Sequence, residues 1–378
     1  MPSSDASDRV ATGDPVRLRP DPLARRLAAI LQAAGCREEE ASVAGAHLVE
    51  ASLSGHDSHG VIRILRYHEW FQTGRIVPGR DIRLVADLGA LRQFDGGDGL
   101  GQWLARAATA EGIALARVHG LSAVALRRAG HVGRLGAYAE QATAAGLVSI
   151  MFLNVAGSRL VAPFGAAERA GSTAPVAIGV PNPGGDDFVL DFATSEVAEG
   201  KVLVAAQGGA PLASDALSDA DGRPSRDPAV LYGPTVDADV PDPRAGPGAL
   251  RAFGLHKGSG LMLACELLGG ALTGNGTNGP ADHRFGNGLF AVFVDPSKLD
   301  GAGAVGKEVA RYLAFVQNAQ PAKGTARVLI PGDRERALRA ERRRTGLPLP
   351  RRVFVAIEAL SGRLGIADDP DLLLPSET

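Results

Sequence analysis

With 378 residues, 45% of them apolar and 22% charged, the chain has material for a large core and the length of roughly two to three packing units. Its 40 basic and 42 acidic residues leave a formal net charge of -2, which gives no reason to seek nucleic acid or an anionic membrane as partner and points to a small molecule. Two cysteines, Cys36 and Cys265, in no CxxC pair, exclude a disulfide framework and a thiolate metal site and suit a reducing compartment, with cytoplasm as the default.

Residues 1–20 are rich in Ser, Asp and Pro without an apolar stretch and are expected to be a disordered leader. No run reaches the roughly 18 apolar residues of a membrane span. Helical periodicity marks 22–35 and 38–55, each stopped by a glycine, and the pattern predicts a third helix from Gly60 to Thr73 with Ser58 near its N-cap. Extended pieces "IRLVADLG" and "LRQFDGG" precede a helix near 100–119, a β-rich run "LSAVALRRAG" and a helix "RLGAYAEQATAAG". Strands "LVSIMFLN", "APVAIGVP" and "FVLDFA" follow, then a helix from Ser195 to Gln207, a loop over 208–248, the helix "KGSGLMLACELLGGALTG" and the strand "LFAVFVD". The tail adds a helix near 304–318 and the basic run "RERALRAERRRTG", read as a solvated helix face whose N-terminal end suits a phosphate. Neighbouring strands without helices between them argue for a mixed sheet in an α/β protein.

Two matches to GxGxxG fail on context. "GNGTNG" (274–279) follows a helix and reads as a C-cap and turn; "GAGAVG" (301–306) is separated from its strand and leaves too little chain for a βαβαβ half. A dinucleotide would therefore sit on a non-Rossmann fold.

"SGHDSHGVIRILRY" (54–67) carries the densest chemistry. On the predicted helix His59, Arg63 and Tyr67 fall at i, i+4 and i+8, one polar stripe. A guanidinium fork beside an imidazole suits a 2-oxo or 2-hydroxy acid, with Arg63 on the carboxylate and His59 exchanging a proton with the adjacent oxygen. Two plainer readings stay open: a capped turn with a solvated Arg63, or a metal held by His56 and His59, which lacks a third ligand at usable spacing. His47 and His68 read as packing or surface residues. His131 in "RAGHVGRLGAYAE" lies where a strand runs into a helix, and Gly133 with Arg134 at that helix start suits a phosphate. His256 and Lys257 in "GLHKGSGL", and Asp191 ahead of capping residues Thr194 or Ser195, mark comparable helix starts, which together favour an extended anionic ligand.

Taken in order, "GHDSHG", "GHVGRLGAYAEQ", "VAPFG", "LDFATS", "GK", "HKG", "CELLGGALTG" and "PGDRE" make the chain from about 22 to 365 resemble the malate/L-lactate dehydrogenase-like family of NAD(P)-dependent oxidoreductases. The resemblance implies a non-Rossmann mixed α/β sheet flanked by helices from both chain ends: a helical substrate and dimer domain over 21–85 and 305–370, and a cofactor-binding sheet domain over 86–304. It implies a homodimer, a NAD or NADP cofactor, and a small carboxylate substrate held by Ser58, Arg63 and Tyr67. His59 would lie at the nicotinamide, and His131 matches a histidine that some relatives use as acid/base. The cofactor would be held by Gly133, Arg134 and Leu135, by Val189, Leu190, Asp191, Phe192 and Ala193, by His256 and Lys257, by Asn287, and by Gly332, Asp333, Arg334 and Glu335. Asp333 would select NAD by repelling a 2'-phosphate, or Arg334 would attract one. Where relatives read GTNP, this chain has "STAP" at 172–175, so Ala174 stands in place of an amide.

The expected activity is reduction of a 2-oxo acid to the 2-hydroxy acid, with His59 preferred over His131 as proton donor because it shares a helix face with Arg63. A cyclic imine carboxylate is the alternative substrate. A metal-dependent hydrolase centred on "HDSH" and a dinucleotide-binding protein without turnover are the alternatives of another class.

Overall fold

The computed structural model describes residues 15–206, 211–234, 242–279, 285–299 and 303–374. Its centre is a seven-stranded sheet of β2 (Arg83–Asp87), β3 (Leu91–Gly99), β4 (Leu121–Ala129), β5 (Val148–Ala156), β7 (Pro175–Val180), β8 (Phe188–Ala193) and β12 (Gly286–Val294), in the order β2-β3-β4-β12-β5-β7-β8. β3 and β4 are parallel and the other neighbouring pairs antiparallel. That is the mixed sheet expected, and the short links between antiparallel strands explain why no βαβ pattern dominates the sequence. Helix α4 (Gly101–His119) makes the single crossover a parallel pair requires, and α5 (Gly136–Ala144) packs nearby. Leu104, Leu126, Tyr138, Met151, Leu289 and Phe293 fill the core between them.

A second core joins the two ends of the chain. Helices α1 (Pro20–Ala33), α2 (Glu38–Leu53) and α3 (Arg63–Gln72) pack with α11 (Arg351–Arg363), while β1 (Val16–Leu18) pairs with β13 (Leu347–Leu349). Leu27, Leu31, Leu48, Ile64, Ile357 and Leu360 meet there. Helix α9 (Ala304–Gln317) follows the sheet domain, and α10 (Asp333–Thr345) lies along α2. The basic run is only in part a solvated face: Arg334 and Arg344 are exposed, but others are paired. Arg339 pairs with Glu50 and Glu140, Arg342 with Asp57, and Arg343 with Glu50, because α2, α5 and the 3-10 turn at Asp57–His59 present carboxylates across the contact.

A third, smaller layer holds β6 (Val161–Ala162), β9 (Leu217–Ser218), β10 (Pro224–Ser225) and β11 (Ala249–Arg251) as a four-stranded sheet. Helices α6 (Glu199–Ala206), α7 (Ala229–Tyr232) and α8 (His256–Cys265) surround it, and α8 runs on into a π-helical segment, Glu266–Leu272. The expected loop over 208–248 thus contains β9, β10 and α7 in its described part. The helix expected from Ser195 starts at Glu199 instead, because Ser195 is held by a bridge to Ala252 and its hydroxyl donates to Val197 O. Its expected end, Gln207, lies outside the described residues, as do residues 1–14 of the expected leader and part of "GAGAVG"; the rest of the leader is ordered, because Val16–Leu18 pair with Leu347–Leu349 and Pro20 opens α1. "GNGTNG" is a turn after the π-helical segment, as its context requires.

Candidate functional site

The segment from Gly55 to Tyr67 does not form the helix expected from Gly60. Asp57–His59 make a 3-10 turn, and α3 starts only at Arg63, with Ile62 in the N-cap place. Packing dictates this. A Cβ on Gly60 would come within 2.0 Å of Ser52 Oγ, which accepts the Val61 N–H, so the chain must turn against α2 before helix can begin. Ser58 therefore caps nothing; its hydroxyl lies 3.0 Å from His59 Nδ1, and its carbonyl accepts from Arg63 Nε at 2.5 Å. The shared helix face that favoured His59 does not exist.

Tertiary contact brings the same residues together by another route. The His59 ring stacks on His131, with centroids 5.4 Å apart and planes 16° apart. His131 comes from the loop between β4 and α5, and its Nδ1 lies 2.6 Å from the hydroxyl of the fully buried Tyr67. Gln102, in the first turn of α4, donates its amide N–H to that same hydroxyl at 2.6 Å. The one phenolic proton is thereby directed to Nδ1, which leaves neutral His131 with its own hydrogen on Nε2. Asn287, in β12, accepts the Val132 N–H at 3.0 Å and donates to Asn154 O, so it fixes the loop carrying His131.

All three histidines of the cluster are held neutral. Burial, and then the Arg63 charge, push the His59 ring down to about 3. The same causes carry His131 well below its ordinary value, and burial with the Arg134 charge takes His47 to about 3. Because folding lowers these values, the unfolded chain takes up protons first. Stability is fully present above an unfolded value of about 6.5 and is lost as pH falls from there toward 3, by about 1–2 kcal/mol per ring at pH 5. Thermal melts at pH 7.5 and pH 5 should show a drop of several degrees, smaller in His47→Gln; equal melting points would contradict it.

His47 is a residue the sequence did not single out. Its Nε2 accepts the Arg134 N–H at 2.9 Å and braces the loop, and Gly133, at φ +77°, is required there because a Cβ would come within 2.3 Å of that nitrogen. Gln102 and Glu199 are likewise new. Neither has a sequence signal, since each acquires meaning only from a neighbour far along the chain.

The expected cofactor residues fall into three groups. Gly133, Arg134 and Leu135 lead into α5. The Gly133 and Leu135 amides have no hydrogen-bond partner among the described residues, and buried Arg134 pairs with Glu140 while its Nε is unpartnered. The foremost amide of α5, Gly136 N–H, donates to Asp191 Oδ2 at 2.7 Å, so a carboxylate of the protein already caps that helix. Val189 N–H donates to Pro331 O, which joins β8, with Leu190, Phe192 and Ala193, to Gly332 and Asp333 at the start of α10. The Asp333 carboxylate is spent on Ile330 N–H and Arg336, and Glu335 lies 3.7 Å from His56. Arg334 is exposed at a cavity of about 480 Å3 also lined by Arg327, Asp333, Leu338 and Glu341. His256 and Lys257 are exposed on α8, with His256 edge-on to Phe164, and no hydrogen bond links them to the histidine cluster. Unspent loop amides and an orphaned buried guanidinium N–H beside neutral imidazoles fit an extended anionic ligand such as a dinucleotide. Ala174 is wholly buried with Val176 and Cys265, so the missing amide leaves no gap at a surface. Among the described residues no group of three or more His, Cys, Asp or Glu is arranged to hold a metal ion, and no helix is long and apolar enough to cross a membrane.

Comparison with known proteins gives a consistent result. The model of the family described as malate/L-lactate dehydrogenase matches residues 18–358. The chain is 34% identical to hydroxycarboxylate dehydrogenase B of Escherichia coli over 346 residues, covering 90% of this chain and 92% of that protein. It is 36% identical over 326 residues to an L-lactate dehydrogenase of Cupriavidus necator, covering 85% and 90%. Among solved structures, sulfolactate dehydrogenase from Methanocaldococcus jannaschii superposes with a TM-score of 0.81 at 30% identity, covering 93% and 98%.

Proposed function

The chain belongs to the malate/L-lactate dehydrogenase family of oxidoreductases, and from that premise we propose that it reduces a 2-oxo carboxylic acid to the 2-hydroxy acid, reversibly, with NADPH. The observation that carries the reading is the Gln102–Tyr67–His131 chain ending beside Arg63 and His59. The nicotinamide, when bound, supplies or accepts the hydride. Arg63 has its Nε engaged by Ser58 O and offers its terminal nitrogens to the substrate carboxylate. His131 carries the proton, its tautomer set by Tyr67. In the oxidising direction the neutral ring is ready to accept the hydroxyl proton. In the reducing direction it must first be protonated, and a carboxylate on Arg63 promotes that by offsetting a positive charge that holds the ring neutral.

Gly133, Arg134 and Leu135 would bear one part of the dinucleotide, and β8 with Gly332 to Glu335 another. NADPH is the reading because Asp333, the candidate for repelling a 2'-phosphate, is satisfied internally, whereas Arg334 and Arg327 face open space. The reading includes a cytoplasmic homodimer; exposed Leu263, Leu267 and Leu272 on α8 and its continuation support an assembly.

A panel of 2-oxo acids, with piperideine-2-carboxylate included, assayed with both NADPH and NADH tests the reading. Turnover of 2-oxo acids is expected, with kcat/KM at least tenfold higher for NADPH, and Arg334→Ser should remove most of that preference. Exclusive use of the cyclic imine, or oxidation of neither reduced cofactor, would sink it.

A further inference from the structure

Glu199 opens α6 beside Arg63, and the reaction as described gives it no task. Helix α6 is seated on the 3-10 turn: a Cβ on Gly200 would come within 3.0 Å of Ser58 Cβ, and this contact delivers the Glu199 side chain to the substrate anchor. Its Oε2 lies 3.9 Å from Arg63 Nη2, an ion pair too long for a hydrogen bond, while Oε1 accepts from the Tyr232 hydroxyl. Burial, and then the Glu199 charge, hold Tyr232 far above the ordinary phenol range, so it stays a donor and pins the carboxylate. The Arg63 and Glu199 side chains keep 26% and 21% exposure, which leaves both heads open to an incoming small molecule.

Besides Arg63 and Glu199, Asp242 also acts on Tyr232. The histidines are neutral, and Arg134 is buried and paired with Glu140. Arg63 is the cation that stands beside Glu199, which already offsets it. A substrate with one carboxylate can take the terminal nitrogens of Arg63. A second anionic group on the same small molecule would have to stand within a few ångströms of Glu199 in a partly dry cleft, where like charges repel strongly.

We propose that Glu199 is a specificity-determining residue that admits 2-oxo acids carrying a single negative charge and turns away those with a second. This rests on the reading of Arg63 as the carboxylate anchor. The filter is independent of which histidine moves the proton, since it acts on binding.

Oxamate and oxalate test it, because they are nearly the same shape and differ by one negative charge. Calorimetry on the whole enzyme saturated with reduced cofactor should find oxamate bound more tightly than oxalate. Glu199→Gln keeps the size of the side chain and an oxygen for Tyr232, and should tighten oxalate about tenfold or more while changing oxamate less than twofold, a factor of ten being about 1.4 kcal/mol. The kcat/KM ratio of oxaloacetate to 2-oxobutanoate should rise in parallel, and rise further in Glu199→Arg. Tyr232→Phe retains the charge and should leave the ratio within twofold of the parent. An oxalate-to-oxamate ratio unmoved by Glu199→Gln overturns the filter while Arg63 remains the anchor. Failure of the parent to bind either anion or turn over either acid overturns the anchor itself.

Discussion

Arg63→Ala should cut kcat/KM for the preferred 2-oxo acid by roughly 10²–10⁴-fold, the equivalent of two charge-assisted hydrogen bonds to one carboxylate. Most of the loss should fall on KM, with the dissociation constant of NADPH within about threefold, because the Arg63 contacts lie with Ser58 and Glu199 rather than with the loop before α5 or the start of α10. Arg63→Lys keeps a charge but not the planar fork, and should recover only part of the activity. The folded state tolerates the change: Arg63 is partly exposed, and its one close protein bond is to a backbone carbonyl on a turn that Ser52 also secures. A loss below tenfold in steady-state kinetics would mean the carboxylate binds elsewhere.

His131→Ala should lower kcat by about 10²–10⁴-fold, the usual weight of a positioned acid or base, whereas His59→Ala should cost about tenfold through loss of the stacked neighbour. The pH dependence distinguishes the two. The free enzyme holds His131 neutral, so kcat/KM for reduction should fall tenfold per unit from about pH 5 to 8, while oxidation stays flat over the same range. His131→Ala should abolish the slope and His59→Ala should keep it. Tyr67→Phe, which frees Nδ1 to take the hydrogen, should lower kcat about tenfold or more with little effect on KM. If His59→Ala instead flattens the profile, the proton belongs to His59, whose Nδ1 lies beside the Ser58 hydroxyl.

The alternation of helices and strands, the turn at "GNGTNG" and the nearness of an arginine to histidines were legible in the sequence. Each depends on spacing within one short segment, where geometry follows from the local repeat. So was the mixed character of the sheet, because β7 and β8 follow one another with too few residues between them for a helix. The helix expected from Gly60 was not legible. Ser58 and the polar run that follow "GHD" look like a cap, yet the close approach of Gly60 to Ser52 compels a turn, and only the packing of α2 reveals it.

The sequence by itself determined that an imidazole and a guanidinium stand within one short stretch of an α/β chain. The tertiary structure decided which imidazole is oriented, because Gln102, Tyr67 and His131 stand far apart along the chain and meet only when α4, α3 and the β4–α5 loop pack. It also decided that Glu199 stands against Arg63 and that Arg339 and Arg342 of the basic run on α10 face carboxylates. Contacts between distant segments leave no periodic trace in either segment, and burial, which sets the charge state of every histidine in the cluster, belongs to the assembled core alone.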